Sequence, residues 1–170
     1  RDLPDPKHAP TPSLTSVVYD RKGRVLARLF EENRTWVDLS HISPWAIKSV
    51  LAAEDSEFYQ HQGIRLQAIF RTLLLDFQMG KARHGGSTIT QQLARTIFLS
   101  RERTIQRKAS EAIIAIRMEK AFTKDQILEM YLNMAYFGHG AYGIAAASQT
   151  YFDKPASQLS LPEASMLAGL

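Results

Sequence analysis

Signals that start α-helices recur along this chain and constrain its fold more than any other feature. Ser43 precedes Pro44, Thr123 precedes Gln126 by three residues, and Ser160 stands in the same relation to Glu163. Each places a capping side chain ahead of an apolar stretch. After Ser43, the residues Ile47, Val50, Leu51, Glu54 and Phe58 follow at helical spacing. A second helix is expected from about Gln67 to Met79, a third from Ser87 or Thr88 through Phe98, and a longer one from about Arg103 to Phe122. Thr123 then opens a helix ending near Asn133. The run YFGHGAYGIAAASQTYF predicts a tight turn into a small-residue helix, and the helix begun at Ser160 is barely under way at Leu170. The fold class is therefore mainly α.

Ahead of this helical body, TSVVYDRKGRVLARLFEENRTWVDL reads as a hairpin. DRKG forms the turn between Val17–Tyr19 and Arg24–Phe30, with a short strand near Trp36–Leu39. Four prolines in the first 12 residues predict an extended linker over 1–15, so the domain is taken as 16–170, cut within its last helix. The longest apolar stretches fall far short of the roughly 20 residues that span a bilayer. The first residues also lack the pattern of a signal peptide, which places any anchoring segment upstream.

Composition narrows the chemistry. The formal charge of +4 favours anionic partners, and the absence of cysteine excludes disulfides, thiolate metal sites and a cysteine nucleophile. His41, His61, His84 and His139 lack the spacing of zinc ligands. His61 with Gly63 instead reads as the closure of the first helix. Ser87 sits in no nucleophile elbow. The tyrosines and phenylalanines between 131 and 152 are spaced as core residues, which argues against a nucleic-acid partner.

Three segments could carry a reaction. Glu54, in AAEDSEFYQHQG, falls on an apolar helical stripe, where an acid is costly unless paired, protonated or facing a cleft. It is either a carboxylate made basic enough by burial to accept a proton or a structural ion pair, and both accounts stay open. Asp55, beside it, points elsewhere and suits the orienting of backbone or a base. Glu111 shares a helix face with Arg107 and Lys108, a patch able to hold a diphosphate or to lie solvated. Finally, HGGSTITQQLART puts Thr88, Gln91, Gln92 and Arg95 on one polar stripe against Ile89, Leu93 and Ile97. Its glycine-led helix start suits an anion, although it lacks a Walker ending. A hydrogen-bonded packing interface is the competing account.

Five segments in order, EDSEFYQHQG, GGSTITQQLAR, RKASE, KDQILEMYLN and GHGAYGIAAASQTYFDK, resemble the peptidoglycan glycosyltransferase domain, glycosyltransferase family 51. That domain occurs in class A penicillin-binding proteins and in monofunctional transglycosylases, and the resemblance covers about Ser16 to Leu170. It implies a lysozyme-like, two-lobed helical domain whose smaller jaw meets the membrane through Ile69, Phe70, Leu73, Leu74 and Phe77. It also implies an extracytoplasmic enzyme, anchored in the bacterial inner membrane by an upstream segment and working with other cell-wall synthesis proteins. Its substrates would be lipid II and the growing glycan strand. Glu54 aligns with the family's general base and Glu111 with its second essential carboxylate. Asp55, Ser87, Thr88, Gln91, Gln92, Arg95, Arg107 and Lys108 are carried over as the substrate and diphosphate-binding set.

No cofactor is required by the resemblance, although Glu111 could help a divalent cation, Mg2+ or Mn2+, bridge the diphosphate. The long preamble and the end at Leu170 tilt the expectation toward the bifunctional type. Two departures stand out. Arg95-Thr96 replaces the family's usual Lys-Asn, and Asp153 stands where glycine is preferred; since Asp takes up a left-handed backbone less cheaply than glycine, a modest local change with activity retained is expected there. A lysozyme-like hydrolase and a non-catalytic lipid-diphosphate-binding module are the competing readings. The basic residues near Glu111 weigh against the first, and the retained carboxylates and polar stripe weigh against the second.

Overall fold

The computed structural model describes residues 3–29, 32–65, 86–99 and 104–170. The expected helix over Gln67–Met79, with the membrane-facing set Ile69, Phe70, Leu73, Leu74 and Phe77, lies outside the described residues. What is described is mainly helical, with a small N-terminal hairpin, in keeping with a lysozyme-like helical fold.

Strands β1 (Ser16–Tyr19) and β2 (Val25–Leu29) pair antiparallel, joined by the predicted turn. Asp20 holds that turn by accepting the amides of Lys22 at 2.8 Å and Arg24 at 2.9 Å. The strand expected near Trp36–Leu39 does not form. Instead β3 (Asn33–Arg34) pairs in parallel with β4 (Ala141–Tyr142), and a 3-10 turn follows at Leu39–His41. The reason is visible in the hydrogen bonds. Val37 N–H goes to Asn133 Oδ1 at 2.9 Å and Leu39 N–H to Glu129 Oε2 at 2.8 Å, so helix side chains take the amides that a strand partner would take.

Helix α1 (Pro44–Glu54) starts as predicted, with Ser43 Oγ accepting the Trp45 amide and donating to Leu159 O at 2.7 Å. It ends earlier than the apolar periodicity suggested. Asp55 leaves helical geometry at φ −159°, and Phe58 enters the core from the following turn at 1% exposure. Next come α2 (Ile89–Phe98), α3 (Ile105–Ala121) and α4 (Lys124–Met134). Packing of α2 against both others buries Ile89, Leu93, Ile114, Met118, Ile127, Leu128 and Leu132 in one core.

Helix α5 (Ile144–Phe152) follows the glycine-rich turn. Gly143 there has φ 84°, and a Cβ would lie 2.6 Å from Asn133 O, so this close helix approach needs glycine. Asp153 ends α5 in the left-handed region at φ 52°, a conformation that the family's preferred glycine takes up more cheaply. Helix α6 (Leu161–Ala168) carries the predicted capping box at Ser160 and Glu163, and packs along α1 as a formed helix of two turns. The lead-in is not a loose tether over its whole length. Pro6 is buried, the short helix Pro6–His8 rests on α3, and Arg117 donates to Leu3 O at 3.2 Å.

Candidate active site

Glu54 is the last residue of α1, and its placement follows from where that helix begins and stops. It is half-buried, and its Oε2 accepts a hydrogen bond from Gln92 Nε2 at 2.7 Å. Gln92 lies in the middle of α2 and is held from behind, where its Oε1 accepts the Tyr131 hydroxyl of α4 at 3.2 Å. Burial holds the Tyr131 proton on more firmly than usual. The negative charge of Glu54 adds to this, Arg95 opposes it, and Asp55 adds a smaller push upward.

Asp55 turns inward, as its orienting role anticipated, and serves as the anion of the next helix. Its Oδ2 accepts the Ile89 amide at the start of α2 at 3.0 Å and His61 Nε2 at 2.8 Å. His61 Nδ1 accepts the Gly63 amide at 3.1 Å, so the ring proton that faces Asp55 sits on Nε2. Thr88 Oγ1 donates to Gly63 O at 2.5 Å. Thr88 and Gln91 complete a capping box, with Gln91 Oε1 accepting Thr88 N–H and Thr88 Oγ1 accepting Gln91 N–H.

Asp55, Thr88 and Gln91 are buried, and their hydrogen bonds within the protein hold the start of α2. The helix start expected to receive an external anion already has one, because the Asp55 carboxylate meets its positive end.

Glu111 is fully buried on α3, which excludes the solvated-face account of this patch. Its oxygens accept Arg107 Nη1 at 2.8 Å and Lys108 Nζ. The start of α3 is set by Thr104, whose Oγ1 accepts the Arg107 amide at 3.1 Å. Lys108 Nζ also donates to Ser87 Oγ at 2.7 Å while its side chain stays 46% exposed. An ammonium has three N–H donors, so among the described residues one remains beyond these two partners. Arg107 Nε is likewise buried without a partner among the described residues. The result is a pair of cations held by a buried carboxylate, with donors unpartnered among the described residues.

A divalent ion does not fit this set of donors. Both Glu111 oxygens face cations, and no group of three His, Cys, Asp or Glu gathers among the described residues. Arg95 is exposed one turn after Gln92, and Thr96 bonds back to Gln92 O at 3.0 Å.

Two ends of one site therefore converge on α2. Glu54 is tied to Gln92 within it, and Lys108 to Ser87 just before it. Sequence reasoning set Tyr131 among the core aromatics and missed its bond to Gln92. The signal was available, since a buried tyrosine hydroxyl needs a partner.

A family model described as Transglycosylase matches residues 22–170. Penicillin-binding protein 1A of Aquifex aeolicus is 46% identical over 172 residues, covering all of this chain and 24% of that protein. Penicillin-binding protein 1A of Escherichia coli is 48% identical over 153 residues, 90% of this chain and 18% of its own length. Penicillin-binding protein 1F of Bacillus subtilis is 44% identical over 156 residues, 92% of this chain and 22% of its own. The chain thus spans a quarter or less of these relatives.

Proposed function

The chain belongs to the transglycosylase family, the peptidoglycan glycosyltransferase domains of penicillin-binding proteins, and from that premise we propose that it polymerises lipid II into β-1,4-linked glycan strands. The observation that carries this reading is the pairing, across α2, of a half-buried carboxylate with a cation pair anchored on a buried one. Glu54 takes the proton from the 4-hydroxyl of the acceptor N-acetylglucosamine as that oxygen attacks the anomeric carbon of the diphosphate-linked donor. The new C–O bond forms on the face opposite the breaking one, so the α link becomes β. Undecaprenyl diphosphate leaves with the bonding electrons.

Each role has a physical reason. A sugar hydroxyl is a poor nucleophile, so a positioned base must take its proton during attack. Negative charge grows on the departing diphosphate, and fixed cations that need no reorganisation stabilise it best. Lys108, Arg107 and the exposed Arg95 supply that charge. Ser87 holds Lys108, Gln92 holds Glu54, and Glu111 keeps Arg107 and Lys108 in place.

On this reading residues 16–170 act at the extracytoplasmic face of the inner membrane, anchored from upstream and beside other cell-wall synthesis proteins. The apolar residues Ile69, Phe70, Leu73, Leu74 and Phe77 meet the bilayer. The test is polymerisation of purified lipid II in detergent, following glycan length and released undecaprenyl diphosphate. Glu54→Gln should abolish both. Release of reducing sugar ends from finished strands, with no polymer made, would overturn the transferase reading in favour of a hydrolase.

A further inference from the structure

The mechanism above gives Tyr131 no task, yet its hydroxyl bonds the partner of the base. Gln92 is bound at both ends of its amide, Nε2 to Glu54 Oε2 at 2.7 Å and Oε1 to the Tyr131 hydroxyl at 3.2 Å. We propose that Tyr131 is a positioning residue that locks the Gln92 amide so that its NH2 group faces Glu54. The inference rests on the reading of Glu54 as the base.

The chemistry of the amide makes such a lock useful. Turning it over would set Gln92 Oε1 against a Glu54 oxygen, two acceptors at hydrogen-bond distance with no proton between them. Letting it swing away would leave Glu54 without the donor that fixes its carboxylate plane. A glutamine side chain regains several rotamers when unheld, so one bond to Glu54 is a weak restraint by itself. The second bond, from a ring packed against the core on α4, closes off that freedom.

Tyr131 is also suited to be a permanent donor. Burial and the charges of Glu54 and Asp55 keep its proton on, outweighing the opposite pull of Arg95. Its position fits as well, since α4 packs directly on α2 and registers the tyrosine against the middle of that helix.

The test combines kinetics with a spectroscopic readout that needs no turnover. Tyr131→Phe removes only the hydroxyl and keeps the ring in the core. With lipid II, it should lower kcat about 10-fold while KM stays within about 2-fold, as expected for a lost interaction that matters at the reacting centre. In a Gln92→Ala background the same change should cost nothing further. An equal cost in both backgrounds would show that Tyr131 acts without Gln92 and would overturn the proposal.

In 15N-labelled protein, the Gln92 side-chain NH2 should give two well-separated resonances with contacts to Glu54. In Tyr131→Phe these should move toward the values of an unrestrained amide. Gln92 resonances that already look unrestrained in the unmodified protein, or that are unmoved by Tyr131→Phe, would also overturn it. If the unmodified protein makes no glycan, the transferase reading fails by itself, and the resonances still decide whether Tyr131 holds Gln92.

Discussion

Glu111 shows how burial changes the meaning of a residue that sequence could place but not weigh. Its spacing from Arg107 and Lys108 put the three on one face, and that same spacing is common on solvated helices. Only the packing of α2 against α3 makes it a fully enclosed anion. Removing the charge from Glu111→Gln leaves two cations without their partner, which should destabilise the fold by about 3 kcal/mol. Urea unfolding at neutral pH reads this directly, and a loss under about 1 kcal/mol would mean that the cations find solvent easily. Asp55 teaches the complementary lesson. Its position beside Glu54 marked it as pointing elsewhere and suited to orient backbone or a base, but its partner at Ile89 is 34 positions away and belongs to a contact that no local pattern encodes. Tyr131 was hidden for the same reason, because its hydroxyl partner lies on another helix.

Elements were more legible than the links between them. Capping chemistry is local, so Ser43, Thr123 and Ser160 marked the starts of α1, α4 and α6 correctly. The segment Trp36–Leu39 misled because its alternation suits a strand, while its amides are claimed by Glu129 and Asn133 on α4. Apolar periodicity likewise carried α1 too far, since Phe58 is buried from a turn.

The start of α6 also makes a pH prediction. Lys154, first, and then Ser160 hold the Glu163 carboxyl down at about 2, against an ordinary 4.5. Because the folded value is depressed, the unfolded chain takes up protons first as pH falls. Stability from this contact is therefore full above about pH 4.5 and is lost progressively toward about pH 2. Lys154→Met should flatten that part of the profile, read as the Tm difference from the unmodified chain closing as the pH is lowered. A Tm difference that stays constant across this range would remove Lys154 from the account.

At the scale of the whole molecule, α2 is the element on which the candidate site is assembled. Glu54 reaches it through Gln92, Asp55 through the Ile89 amide, and Lys108 through Ser87 at its threshold. The relative positions of Glu54 and the cation pair thus depend on how α2 sits between α3 and α4, and for a catalytic pair misplacement by about 1 Å can cost about 100-fold in rate. Leu93 is the fully buried side chain at the centre of that seat, whereas Ile144 is equally buried at the start of α5, away from these contacts. Leu93→Ala and Ile144→Ala should each destabilise by about 2–5 kcal/mol. Their activities should differ. Under conditions where both variants are fully folded, Leu93→Ala should slow lipid II polymerisation at least about 10-fold, while Ile144→Ala stays within about 2-fold of the unmodified chain. Equal losses of rate for equal losses of stability would mean that the site follows the fold as a whole. A selective loss at Leu93 would tie the placement of Glu54 and Lys108 to the seat of this one helix.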